Sequence, residues 1–178
     1  MPHHNAEREL VIRPRISADI ASAASALMTV HSTDGYPVEG VAQPEEWLSP
    51  VGLLSAWVAV IDDRVVGHVA VTQPSTEEAV ALWIERSGVS SDSVGVLARL
   101  FVLPEARKNS VGESLVRATT EYAGNHGLRL VLDVMKKDRS AIRLYERLGW
   151  QRIGNIAHHF AEGHQIEALA YVSPEGPR

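Results

Sequence analysis

Arg107, Lys108, Ser110 and Gly112 stand where an apolar strand hands over to a helix. Residues 94–103 are apolar at nearly every position, and Pro104 closes them. Glu-Ala-Arg-Lys-Asn-Ser-Val-Gly follows, and helical spacing begins near Ser110. A helix N-terminus presents unpaired backbone N–H groups and about half a positive charge. Small residues ahead of it let a phosphate approach the backbone, and Arg107 and Lys108 add two full charges. The pattern fits a diphosphate site, and it also fits a plain strand–turn–helix with two solvated cations. No Gly-Lys-Ser/Thr completes a Walker loop, and no G-x-G-x-x-G makes a dinucleotide fingerprint.

Other residues offer chemistry of different kinds. The chain has no Cys, which removes thiol nucleophiles, Cys-ligated zinc and disulfides together. It has no G-x-S-x-G nucleophile elbow either. His158, His159 and His164 fall in or beside one expected hairpin loop, HHFAEG, with no acidic or Cys partner at ligand spacing, so no metal site is expected. His3 and His4 lie near a terminus. The segment 31–50 carries Asp34, Tyr36, Glu39 and Trp47, acids and aromatic faces that suit a protonated amine. Arg99 is the single charge on the apolar strand, a rim residue or a pocket residue. His68 and Asp133 sit on other strands and face either a pocket or ordinary sheet partners. Tyr145 lies on a short amphipathic helix, where Leu144, Leu148 and nearby Trp150 read as core.

The elements that must position these groups alternate between strand and helix, which indicates an α/β layered domain. A strand at residues 9–13 ends at Pro14, and Ser17 is placed to cap a helix over 18–30. A long loop with a short helix at 45–48 follows. Strands at 56–61 and 65–71 form a hairpin around Asp62-Asp63-Arg64. Ser75 and Glu78 stand in capping-box spacing before a helix that ends at Gly88. The apolar strand leads to a helix over 110–125, a strand over 128–134, a helix over 140–150 and closing strands at 151–156 and 165–172. The hairpins make the sheet mixed. One domain over residues 1–178 is expected, with 1–8 and 174–178 as flexible ends.

Composition narrows the function classes. With 17 Lys and Arg against 22 Asp and Glu, the net charge is −5 and no basic stripe dominates, so nucleic acid is not an expected partner. The opening MPHHNAEREL has no apolar h-region, and no apolar run approaches the about 20 residues of a membrane span. Neither a signal peptide nor a membrane partner is expected, and a cytoplasmic setting is compatible with the absence of Cys.

VLARLFVLPEARKNSVGESLV followed by KDRSAIRLYERLGW resembles the GCN5-related N-acetyltransferase (GNAT) superfamily. That superfamily has a strand ending in V-x-P, then R-x-x-G-x-G/A opening a helix, then N-x-x-A-x-x-L-Y-E-x-L-G-F. Arg107, Ser110 and Gly112 occupy the first motif here. Asp138, Ala141, Leu144, Tyr145, Leu148, Gly149 and Trp150 occupy the second. Ser110 stands where the family has Gly, and Asp138 where it often has Asn. The resemblance implies an acyl-CoA N-acyltransferase fold: a mixed, mostly antiparallel central sheet flanked by helices. It also implies acetyl-CoA as co-substrate. The backbone of Phe101, Val102 and Leu103 would bind the pantetheine arm, with the amide near Val102 as oxyanion donor. Arg107, Lys108, Asn109, Ser110, Val111, Gly112 and Glu113 would hold the pyrophosphate, and Asp138 and Ala141 would border the cofactor. Tyr145 would protonate the leaving thiolate. The segment holding Asp34, Tyr36, Glu39 and Trp47 lies where the family builds its acceptor site, and Arg99, from its place on the apolar strand rather than from the resemblance, is a further acceptor candidate. A homodimer through the final strands is also implied.

Acyl transfer to an amine needs a neutral nucleophile, a stabilised oxyanion and a protonated leaving thiolate. Without Cys or a serine elbow, direct attack in a ternary complex is expected. The reading favours acetyl transfer to a small-molecule amine. A protein N-acetyltransferase and a non-catalytic acyl-CoA sensor of the same fold are the alternatives. A toxin acting on charged tRNA is disfavoured by the acidic surface.

Overall fold

A computed structural model describes residues 9–37, 40–161 and 163–176, except the side chains of 108, 109, 158–161 and 164. Seven strands make one sheet: β1 (Leu10–Pro14), β2 (Leu53–Ile61), β3 (Arg64–Thr72), β4 (Val94–Val102), β5 (Arg129–Met135), β6 (Gln151–Ala161) and β7 (His164–Val172). Their order is β1-β2-β3-β4-β5-β7-β6. All neighbours are antiparallel except β4 and β5. The mixed, mostly antiparallel sheet expected from the sequence is present.

The β2–β3 hairpin turns on Asp62 and Asp63, both at positive φ, as a two-residue turn that follows the strands' twist requires. Five α-helices connect or cover the strands among the described residues: α1 (Ile20–Asp34), α2 (Pro44–Trp47), α3 (Glu78–Ser87), α4 (Val111–Asn125) and α5 (Arg139–Arg147). α1 and α4 pack on β3, and α3 covers the half of the sheet built from β5, β6 and β7.

Local capping differs from expectation in two places. Ser17 does not cap α1. A 3-10 turn at Ser17–Asp19 precedes the helix, and the Asp19 carboxylate accepts the Ile16 N–H at 2.8 Å. Arg13 grips the same carboxylate through two bonds of 2.7 and 2.8 Å. α1 then runs to Asp34 and stops at Gly35, φ 69°, whose N–H returns to the His31 carbonyl. The Ser75/Glu78 capping box does not form either. α3 starts after Glu77, whose carboxylate accepts the Ser75 N–H at 2.6 Å, while Glu78 accepts the Ala157 N–H from β6 at 3.1 Å. Gly88 does end α3, at φ 73°. The expected HHFAEG loop is mostly strand: β6 runs through Ala161, and pairing continues to Ala161↔His164.

Burial explains why β4 reads as apolar throughout. Val94 and Val96 pack with Ala79 and Val80 of α3. Leu97, Phe101, Val102 and Leu103 belong to the main core with Val111, Leu115 and Val116 of α4. Gly67 lets α4 lie close to β3, since a Cβ there would stand 3.0 Å from Leu115 and 3.1 Å from Val111.

Candidate active site

Two irregularities in β4 create the site. His68 pairs with Phe101 and Ala70 with Ala98, so Val69 alone opposes both Arg99 and Leu100. This is a β-bulge, with Arg99 at φ 59°. On its other side β4 pairs with β5 only over Val94–Val96. Beyond Val96 the strands part, and a cavity of about 600 Å³ opens between Val96–Leu100 and Leu132–Met135. Asp138, Ala141 and Tyr145 line it from α5 and the turn before it, and Tyr36 and Trp47 from the segment after α1 and from α2.

The edge of β4 facing this opening is set by alternation. The Leu103 N–H donates to the Val66 carbonyl at 2.8 Å. Successive peptide groups of an antiparallel strand point to opposite sides. Phe101 and Leu103 therefore direct their backbone at β3, and Val102 directs its N–H and carbonyl away from β3. The expected three-residue backbone surface reduces to Val102 for that reason. Its carbonyl already accepts Arg107 Nε at 3.1 Å.

After β4 the chain makes a 3-10 turn, Pro104–Asn109, and enters α4 through Ser110. Ser110 adopts the left-handed conformation, φ 56° and ψ 26°, which glycine reaches without cost. The first helical bond runs from the Ser114 N–H to the Ser110 carbonyl, so the amides of Val111, Gly112 and Glu113 have no acceptor within the helix. A Cβ on Gly112 would stand 3.3 Å from Leu144, which places the first turn of α4 against α5. The Glu113 side chain pairs with Arg117 at 2.8 Å and Arg147 at 3.5 Å, and these contacts, led by the Arg117 bond, hold its carboxyl below the ordinary value.

The other sequence-predicted residues divide between the cleft and its surroundings. Arg107 forms an ion pair with Asp34, so a residue expected at the phosphate and one expected at the acceptor hold each other. Trp47 meets Tyr36 edge-on at 5.9 Å, and the guanidinium of Arg99 lies over its ring at 4.5 Å. That ring face therefore already carries a protein cation. Glu39 lies outside the described residues, as do the side chains of Lys108, Asn109, His158, His159 and His164. Among the described residues no cluster of three or more His, Asp and Glu is placed to hold a metal. Asp138 does not cap α5 with its side chain. It lines the cleft, and burial raises its pKa.

Tyr145 is 4% exposed. Burial drives its pKa far above the ordinary phenol value, and Tyr36, Asp133 and Asp138 push in the same direction. Its hydroxyl is therefore held toward the neutral form. His68 is fully buried and stacked on Phe101 at 5.3 Å, away from the cleft lining. Arg15 can only donate, so His68 Nε2 accepts from it at 3.0 Å. Its Nδ1–H then donates to the Arg99 carbonyl at 2.9 Å. Burial lowers its pKa to about 4. Arg15 also donates to the Leu48 carbonyl at 2.6 Å and to Ser49 at 3.0 Å, tying the end of α2 to β3. Sequence reading missed Arg15 and the bulge. The signal for the bulge was Arg99 itself, a lone cation inside an apolar strand.

A model of the acetyltransferase (GNAT) family matches residues 23–150, more than two thirds of the chain. The chain belongs to the GNAT acetyltransferase family. This GNAT chain is 32% identical over 108 residues to the N-acetylaspartate synthetase of Xenopus tropicalis, across 60% of this chain and 34% of that protein. It is 29% identical over 110 residues to the mycothiol acetyltransferase of Rhodococcus jostii, across 61% and 32%. It spans about a third of the length of each of these two relatives. Arabidopsis thaliana NAA60, solved in complex with acetyl-CoA, superposes with a TM-score of 0.70 at 18% identity, over 92% of this GNAT chain and 97% of that one. That agreement is one of fold.

Proposed function

We propose that this GNAT chain transfers the acetyl group of acetyl-CoA to the amine of a small molecule by direct attack in a ternary complex. One observation carries the reading: Tyr145 of α5 lines the opening between β4 and β5, while the outward edge of Val102 continues β4 beyond it and the first turn of α4 packs against α5 at Leu144. Amides of Val111, Gly112 and Glu113 would receive the pyrophosphate. The pantetheine arm would lie against the free β4 edge, and the Val102 N–H would stabilise the thioester oxyanion. Asp133, on the β5 wall, would take the proton that the amine must shed.

The amine nitrogen bonds to the carbonyl carbon and the carbon–sulfur bond breaks. The ammonium would lose its first proton to Asp133 before attack; Tyr145 would then donate its hydroxyl hydrogen to the departing sulfur and be restored by the second proton, which the nitrogen sheds after attack. N-acetylated product and free thiol result, with atoms and charge in balance. The Glu78–Ala157 bond joins α3 to β6 at the cleft wall. With Tyr36 and Trp47 also lining the cleft, this enclosure favours a compact acceptor over an extended peptide.

Calorimetric titration with acetyl-CoA tests the cofactor assignment. Micromolar binding by the wild type that disappears in Gly112→Trp is expected. Wild type that binds no acetyl-CoA would sink the reading.

A further inference from the structure

Arg99 alone among the described arginines has a buried side-chain nitrogen without a hydrogen-bond partner. Arg13, Arg64, Arg107, Arg117, Arg129 and Arg147 each pair with a carboxylate. Arg15 donates to Leu48, Ser49 and His68. Arg99 pairs with no carboxylate among the described residues, and its Nε is buried without a hydrogen-bond partner. A buried charged donor left unpaired is costly. The backbone bears a further cost, since Arg99 sits at φ 59° in the bulge. The Trp47 ring holds the guanidinium by a cation–π contact at 4.5 Å, and Arg99 lines the cleft. Three features thus aim an unsatisfied cation at the space where an acceptor would sit.

We infer that the acceptor is an amine that also bears a carboxylate, an amino acid in the broad sense, and that Arg99 binds this carboxylate. The inference rests on the acetyltransferase reading above. A guanidinium offers parallel N–H bonds along an edge of its planar fork, and the two oxygens of a carboxylate match that fork. Asp133 lines the opposite wall, so the cleft opposes a cation on β4 to an anion on β5. A zwitterion fits that polarity: carboxylate toward Arg99, ammonium toward Asp133. A simple protonated amine would meet Arg99 as a like charge.

The test measures thiol release from acetyl-CoA with three sets of amines. The first is the standard amino acids with β-alanine and 4-aminobutyrate. The second is their primary amides. The third is simple alkylamines with phosphoethanolamine. The best acceptor is expected in the first set, with kcat/KM about 100-fold above its amide, because a polar site left unpaired discriminates strongly. Arg99→Met should reduce the acid to the level of the amide, and Arg99→Lys should recover part of the difference. Both should keep the wild-type dissociation constant for acetyl-CoA, and neither should lower the melting temperature. Amides, alkylamines or phosphoethanolamine serving as well as the acids would overturn the inference. So would an acid preference that survives in Arg99→Met, or acetyl-CoA binding with no amino acid accepted. A flat calorimetric trace with acetyl-CoA marks a different failure, that of the acetyltransferase reading itself.

Discussion

His68 Nδ1 donates to the carbonyl of Arg99 at 2.9 Å, linking a fully buried ring on β3 to the bulged residue of β4. A bulge leaves backbone groups without ladder partners, and His68 supplies one from its side chain. Arg15 fixes the tautomer by donating to Nε2 at 3.0 Å. The Arg15–His68–Arg99 chain therefore sets the direction in which the Arg99 side chain leaves the strand. His68 acts here as a positioning residue, not as a base.

This arrangement makes stability depend on pH in a defined window. His68 has a pKa of about 4 in the fold, lowered chiefly by burial, against an ordinary value near 6.5. Between those values the unfolded chain binds the extra proton, so stability rises with pH. It is fully present above about pH 6.5 and lost as pH falls toward 4. The loss amounts to about 2–3 kcal/mol. Asp138, raised by burial, acts in the opposite sense on the acid side. Urea midpoints at pH 7 and pH 5 for wild type and His68→Gln separate the two. The wild-type drop should exceed that of the variant, and equal drops would remove His68 as the cause.

Ser110 bears the left-handed turn into α4 with no side-chain cap bond in return. A non-glycine residue in that conformation costs about 1–2 kcal/mol, partly offset by the greater unfolded-state freedom of glycine. Ser110→Gly should stabilise the protein by up to about 1 kcal/mol, raising the melting temperature by about 2–4 °C. Acetyl-CoA affinity should hold or improve. A fall in affinity would show that the Ser110 hydroxyl contacts the phosphate.

Much of this organisation was legible in the sequence, and the reasons are local. Alternating apolar runs, the Gly88 stop and the Asp62-Asp63 turn are set by neighbours in the chain, and so the strand and helix order could be read, while the last turn of α1 before Gly35 lies beyond the expected end at residue 30. Ser110, Gly112 and Tyr145 could be placed because their motif spacing survives. What escaped depends on contacts distant in sequence. Arg15 meets His68 across 53 residues, and Arg107 meets Asp34 across 73. Ser17 is taken up in a 3-10 turn, in which the Asp19 carboxylate accepts the Ile16 N–H and pairs with Arg13. The lone Arg99 marks β4 as unusual, but the bulge itself cannot be read from one strand, because register is a property of two. Both strands of the final hairpin are legible, and only its end, HHFAEG, reads as loop, because its polar histidines mask strand pairing.

Gly67 should tolerate little change. A Cβ there would come within 3.0 Å of Leu115, 3.1 Å of Val111 and 3.3 Å of the Phe101 carbonyl. Gly67→Ala must push α4 off the sheet or shift the Leu115 and Val111 rotamers, costing about 1–3 kcal/mol. Because Val111 opens α4, the strain reaches the proposed pyrophosphate site. Thermal melting and acetyl-CoA calorimetry on the variant should both worsen. Lost stability with unchanged affinity would show that the first turn of α4 is insulated from the sheet contact.

Tyr145→Phe removes one oxygen from a buried side chain whose ring packs 5.5 Å from Trp150 and 6.4 Å from Tyr171. The ring contacts persist in Phe, so folding should change little. If the hydroxyl serves the departing sulfur, kcat should fall about 100-fold, the lower range for a positioned proton donor. The acetyl-CoA dissociation constant should remain within error of wild type. Because burial raises the pKa of this hydroxyl far above its ordinary value, the wild-type rate should also show no decline near pH 10 from its ionisation. Steady-state kinetics of thiol release across pH, paired with calorimetry, reads both effects. Unchanged kcat in the variant would reduce Tyr145 to a packing residue and leave thiolate protonation to water in the cleft.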